Sequence, residues 1–156
     1  MYIMYMYTNY MNTERPTTGS LVWHLAMRWR NEVDRAISSL GLTHAQYSTL
    51  ASLHSLTKRG MAPSQKELAD YTGLQPIYIS KLVRTLETAG YLVREPHRKD
   101  SRAVALALSD RGLKVVVEAR AIVRELDSRL TEPLGGPDGE RTRLLAATLR
   151  ELLDQP

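Results

Sequence analysis

Between Ser64 and Gly112 the chain sets helix starts, helix stops and two short apolar runs in an order that few folds accommodate. Ser64-Gln65-Lys66-Glu67 is a capping box, in which a serine hydroxyl and a glutamate carboxylate satisfy each other's backbone N–H groups at a helix start. Leu68 and Ala69 supply its apolar contacts, and Asp70-Tyr71-Thr72-Gly73 makes a turn. A second helix is predicted over Gln75–Ala89, with Pro76 near its first position, where a missing N–H costs nothing, and Gly90 closing it. Two helices joined by a tight Gly-containing turn form a helix-turn-helix. Behind it, Tyr91–Val93 and Ala103–Leu108 are expected as the strands of a hairpin, with Val104, Leu106 and Leu108 alternating with small residues. Glu95–Arg102 is then a polar tip, too short and too charged to hold a core.

On a helical wheel, Ile79, Leu82, Val83 and Leu86 fall on one side of the second helix. Ile77, Lys81, Arg84 and Thr88 lie opposite, flanked by Ser80 and Thr85. Such a face meets the requirements of major-groove reading. Lys and Arg reach guanine or phosphate, while hydroxyls and apolar groups meet base edges and thymine methyls. Charge is concentrated in the same place. Lys58–Arg102 holds nine Lys/Arg against five Asp/Glu, and the other 12 basic and 12 acidic residues cancel, so the whole net charge of +4 lies in that window. A solvated charged face is the plainer reading of that bias, and an exposed hairpin turn is the plainer reading of the tip.

The flanking segments read as helices with more apolar surface than one core needs. From Ser20 to Leu40, Val22, Ala26, Trp29, Val33 and Leu40 recur at helical spacing, and Leu21, Trp23, Leu25 and Met27 widen the stripe. Gly41 closes this helix, and Thr43-His44-Ala45-Gln46 is a second capping box opening the next, whose buried side includes Tyr47, Leu50 and Leu56. Ser109 caps a long helix over about Asp110–Leu130. Thr131–Gly139 is rich in breakers, and a last helix near Glu140–Leu153 carries Leu144, Leu145, Leu149, Leu152 and Leu153. First and last helices of this kind suggest an intertwined dimer.

Composition excludes several classes. Cysteine is absent, which removes disulfides, thiolate metal sites and thiol redox sensing. No run of 18 apolar residues exists to cross a membrane, and a cytoplasmic protein is expected. Residues 1–18, rich in Met and Tyr, lack a basic start and a long apolar stretch, so they read as a flexible arm or an extension ahead of a start at Met11 rather than a signal peptide. Ser, His and Asp show no nucleophile elbow, and no Gly-rich phosphate loop occurs, so an enzyme is not expected. His24, His44, His54 and His97 are spread singly; a zinc-responsive regulator of the same fold is the alternative they leave open.

In this order the parts are similar to the MarR family (multiple antibiotic resistance regulators) over about residues 20–153. The resemblance rests on Leu42–Tyr47, on Gln65–Ala69, and on Ile79–Val93. It continues through Asp100-Ser101-Arg102 and Leu108-Ser109-Asp110-Arg111-Gly112. It implies a mainly α winged helix-turn-helix, with about six helices and a two-stranded wing. The expected arrangement is an arm at 1–18, two supporting helices at 19–57, the winged lobe at 58–108, and a long helix with a dimerisation helix at 109–156. A homodimer on a pseudo-palindromic DNA operator, usually repressing, is implied.

Gln75, Pro76, Ile77, Tyr78, Ser80, Lys81, Arg84 and Thr85 are then assigned to the major groove. His97, Arg98, Lys99, Asp100 and Arg102 are assigned to the wing, and Ser64 and Gln65 to the DNA backbone. Gln75-Pro76-Ile77-Tyr78 departs from the short Ser/Thr-rich opening of many relatives, so no operator sequence carries over. No cofactor is required. A small aromatic or anionic effector, in a cleft between dimer helices and reading lobe, is implied, with Trp23, His24, Arg28, Tyr47 and His54 as candidate lining. Core packing is the rival role for Trp23 and Tyr47.

Overall fold

The computed structural model describes residues 15–97 and 100–154, with residues 100–103 described by backbone alone. The Met/Tyr-rich stretch through residue 14 lies outside them. Helix α1 runs Thr18–Ala36, its start fixed by the Thr17 hydroxyl, which accepts from Ser20 N at 3.2 Å. The helix therefore begins inside the segment expected to be an arm. It also stops short of Leu40. Ser38–Leu40 tightens into a 3₁₀ turn ending at Gly41, whose φ of +69° suits a residue without a Cβ.

Helix α2 (His44–Lys58) opens on the expected Thr43/Gln46 capping box. Its free N-terminal donors receive further help from α1, because Asp34 accepts from His44 N. The Ser64/Glu67 box opens α3 (Gln65–Thr72), and Gly73 at φ +67° turns the chain into α4 (Pro76–Thr88), with Pro76 at its first turn. Ile79, Leu82, Val83 and Leu86 are the buried side of α4, as the wheel predicts. They meet Leu50, Leu53 and Leu56 of α2 and Leu68 of α3 in one core with Leu92 and Leu106 of the wing.

The hairpin is longer than its apolar pattern suggests. Strand β1 spans Leu92–His97 and pairs antiparallel with β2, Asp100–Leu108, so most of the polar tip is strand. Backbone pairing does not need apolar side chains, and the outer half of the ladder projects past the core. Val104, expected on the buried face, is accordingly 49% exposed opposite Pro96. Ala105 is buried instead. Leu106 N also donates to Pro63 O at 2.8 Å, which ties the wing to the start of α3.

Helix α5 (Asp110–Thr131) is the spine. Val116, Ala119 and Leu126 pack into the core with Val33 and Ile37. After a 3₁₀ turn at Glu132–Leu134, α6 runs Glu140–Leu153 and buries none of its residues. Leu144 and Leu153 of α6, like Leu21, Val22, Trp23 and Leu25 of α1 and Leu113 and Val117 of α5, remain exposed. No helix among the described residues is long and apolar enough to cross a membrane.

Candidate nucleic-acid interface

Helix α4 is held from behind and left open in front. At its C-terminal end, Ser109 Oγ donates to Gly90 O at 2.6 Å, Ser109 N donates to Tyr91 O at 3.1 Å, and Arg111 Nη1 donates to Ala89 O at 3.0 Å. Arg111 also lies over the Tyr91 ring, 4.8 Å from its centroid. Ser109 thus caps two structures, since its hydroxyl accepts from Gly112 N at 2.9 Å while donating to the end of α4. Gly112 has no room for a side chain, because a Cβ there would sit 1.7 Å from Tyr91 O. The Ser-Asp-Arg-Gly run is therefore the joint that sets α5 against the wing and α4.

The opposite face of α4 is unencumbered. Gln75, Pro76, Ile77, Tyr78, Lys81, Arg84 and Thr85 are exposed and Ser80 is half-buried. Gln75 makes no side-chain cap. The Thr85 hydroxyl donates back to Lys81 O at 3.0 Å. Among the described residues neither Lys81 nor Arg84 has a carboxylate within ion-pair distance. Arg94 behaves differently. Its Nε donates to Glu87 at 3.1 Å and its Nη2 to Gln65 Oε1 at 3.4 Å, so this cation braces α3, α4 and β1.

At the start of α3 the capping box constrains the two residues assigned to a DNA backbone. The Ser64 hydroxyl gives its one proton to Glu67 Oε2 at 2.8 Å and accepts from Glu67 N at 3.2 Å. Ser64 N donates to the same carboxylate, and these contacts hold the Glu67 carboxyl below the ordinary range. What remains for an anion is the amide NH₂ of Gln65, whose oxygen is turned to Arg94. In the wing, His97 is half-buried. Arg98, Lys99 and the side chains of Asp100 and Arg102 lie outside the described residues.

Among the described residues, the five residues assigned to an effector fall into two groups. Trp23 and Arg28 are exposed and His24 half-buried on the first half of α1. Tyr47 and His54 face α5. His54 is buried, and Arg120 Nη1 sits 2.9 Å from its Nδ1. A guanidinium only donates, so Nδ1 accepts and the imidazole carries its proton on Nε2. Burial, then Arg120 and Lys58, hold the His54 pKa below its ordinary value. Burial also raises the Tyr47 pKa, with Arg120 and Arg124 opposing. The i,i+4 pair Arg120/Arg124 was the sequence signal for this cationic junction.

An open cleft of about 420 Å³ lies elsewhere, lined by Arg30, His44, Ser48, Tyr71, Leu74 and Tyr78 among others. It contains none of the five. Burial lowers the His44 pKa there, with Asp34 opposing and Arg30 reinforcing the shift. Among the described residues no three His, Asp or Glu side chains come together as a metal site.

Comparison with known proteins places this architecture. The sequence profile described as the MarR family matches residues 40–103. The HTH-type transcriptional regulator YdcH of Bacillus subtilis is 33% identical over 109 residues, covering 70% of this chain and 74% of that protein. The chain belongs to the MarR family. It is thus a winged-helix transcriptional regulator and not an enzyme. A second relative, the HTH-type transcriptional repressor Rv2887 of Mycobacterium tuberculosis, is 30% identical over 119 residues, 76% of this chain and 83% of that one. The fold matches MepR from a crystal structure of the S. aureus MepR–DNA complex at a TM-score of 0.77 and 21% identity, covering 88% of this chain and 94% of MepR.

Proposed function

We propose that this MarR-family protein is a sequence-specific DNA-binding repressor that grips a pseudo-palindromic operator as a homodimer, in the cytoplasm. The observation that carries the reading is the free cationic face of α4. Lys81 and Arg84 project from the same side as Ile77 and Thr88, with no acid pairing them among the described residues. Leaving two such cations unpaired on a helix otherwise fixed by buried aliphatic side chains suits a polyanionic partner whose counterions they displace. In this reading Gln75, Pro76, Ile77, Tyr78, Ser80, Lys81, Arg84 and Thr85 meet the major groove. His97, Arg98, Lys99, Asp100 and Arg102 work at the minor groove, and Ser64 and Gln65 border the backbone. Given the capping box, Gln65 is the better donor of that last pair.

The exposed apolar residues of α1, α5 and α6 support a second copy as the occupant of the end helices. Monomers rarely leave large contiguous apolar patches in water. An effector is supported by the α1–α2 cleft, because its far wall is Tyr71 and Tyr78, so a small aromatic or anionic molecule there would press on the first turn of α4. The test is selection of binding sites from a random duplex pool, with sedimentation of the complex. Two protomers on two inverted half-sites are expected; a monomer in complex, or no enriched sequence, would refute the reading.

A further inference from the structure

Ile77 is 71% exposed, and its setting separates it from the exposed apolar side chains of the end helices and α5. Those on α1, α5 and α6 lie in runs, on faces that another protein surface would cover. Ile77 stands at the second position of α4, sharing an arc of about 60° with Lys81, Arg84 and Thr88 at 3.6 residues per turn. Nothing in the core needs it there, since Ile79, Leu82, Val83 and Leu86 already fill the buried side. In a helix-turn-helix the first residues of the second helix are the ones that reach base edges. We infer that Ile77 is a specificity residue that reads the C5-methyl group of a thymine, one in each half-site.

The chemistry leaves one target. Isoleucine neither donates nor accepts a hydrogen bond, so against guanine, adenine or cytosine edges it would strip water from polar groups and return nothing. The thymine methyl is the one apolar group that the four bases expose in the major groove. Lys81 and Arg84, one and two turns further along the same stripe, are free to hold phosphate or guanine while Ile77 fits against the methyl. This inference rests on α4 reading DNA, and the experiment separates the two.

The probe is the operator selected from a random duplex pool, with each thymine of one half-site replaced in turn by deoxyuridine, which removes only the methyl. At one thymine under α4, wild type should lose roughly fourfold in affinity, the worth of one buried carbon at about 0.8 kcal/mol. Ile77→Ala should bind thymine and uracil operators within about twofold of each other. Exposure of Ile77 means this variant should keep the wild-type circular dichroism and melting temperature. If Ile77→Ala retains the thymine preference, or no uracil substitution under α4 matters to wild type, Ile77 does not read a methyl. If the pool yields no enriched sequence, the DNA reading itself fails and takes this inference with it.

Discussion

Gly112→Ala tests the joint between α5 and the reading lobe. The added Cβ would lie 1.7 Å from Tyr91 O and 2.7 Å from Tyr91 C, both backbone atoms that cannot rotate away. Restoring an ordinary contact of about 3.4 Å requires the first turn of α5 to recede by more than 1 Å. That motion pulls on the Ser109–Gly90, Ser109–Tyr91 and Arg111–Ala89 hydrogen bonds. At about 1 kcal/mol each, their loss sums to about 3 kcal/mol, a large share of the 5–15 kcal/mol typical of a domain. Gly19→Ala is the matched control, since a Cβ there meets nothing within 4 Å. It should be neutral or stabilising by up to about 1 kcal/mol, because alanine suits a helix better than glycine. Urea unfolding of both variants at one protomer concentration reads the difference. A Gly112→Ala protein within about 0.5 kcal/mol of wild type, the scatter of surface substitutions, would refute the close-packed joint.

Three further outcomes are expected. The His54 pKa is lowered by burial and Arg120, so the unfolded chain binds the extra proton first. Its contribution is intact above about pH 6.5 and is lost as pH falls below that value toward the folded pKa. His54→Asn, which keeps an acceptor for Arg120, should flatten the acid side of a melting-temperature profile from pH 8 to 5; an unchanged slope would clear His54 of that role. Leu25→Glu combined with Leu152→Glu should shift sedimentation toward monomer, and a dimer as tight as wild type would move the interface elsewhere. Arg98→Ala should weaken binding to all DNA sequences and reduce the salt slope by about one, whereas an effect at a single base position would contradict a backbone role.

Much of the fold was legible because its boundaries rest on local chemistry. The Thr43/Gln46 and Ser64/Glu67 boxes, Pro76 and Gly73 each determine their own few residues, and the structure follows them. The buried side of α4 was legible for the same reason, as a 3.6-residue period with four large aliphatics. The wing was legible only in part. Strand pairing beyond the core is a backbone matter, so neither its length nor the inversion of Val104 and Ala105 is written in apolar alternation.

Long-range pairings were the least legible. Arg94 counted as one of nine cations until Glu87 and Gln65 claimed it, and Asp34 gave no sign that it would cap α2. Tyr47 and His54 converge on Arg120, while Trp23, His24 and Arg28 stay on α1, and the open cleft uses other side chains.

The central claim is that the outward face of α4 reads base sequence. The most direct measurement is the affinity of Arg84→Ala for the selected operator and for every single-base variant of one half-site, at one fixed salt concentration. A loss of about 1–3 kcal/mol on the operator is expected, with discrimination collapsing at one or two adjacent base pairs and preserved at the rest. An Arg84→Ala protein that keeps wild-type discrimination at every position would contradict the claim.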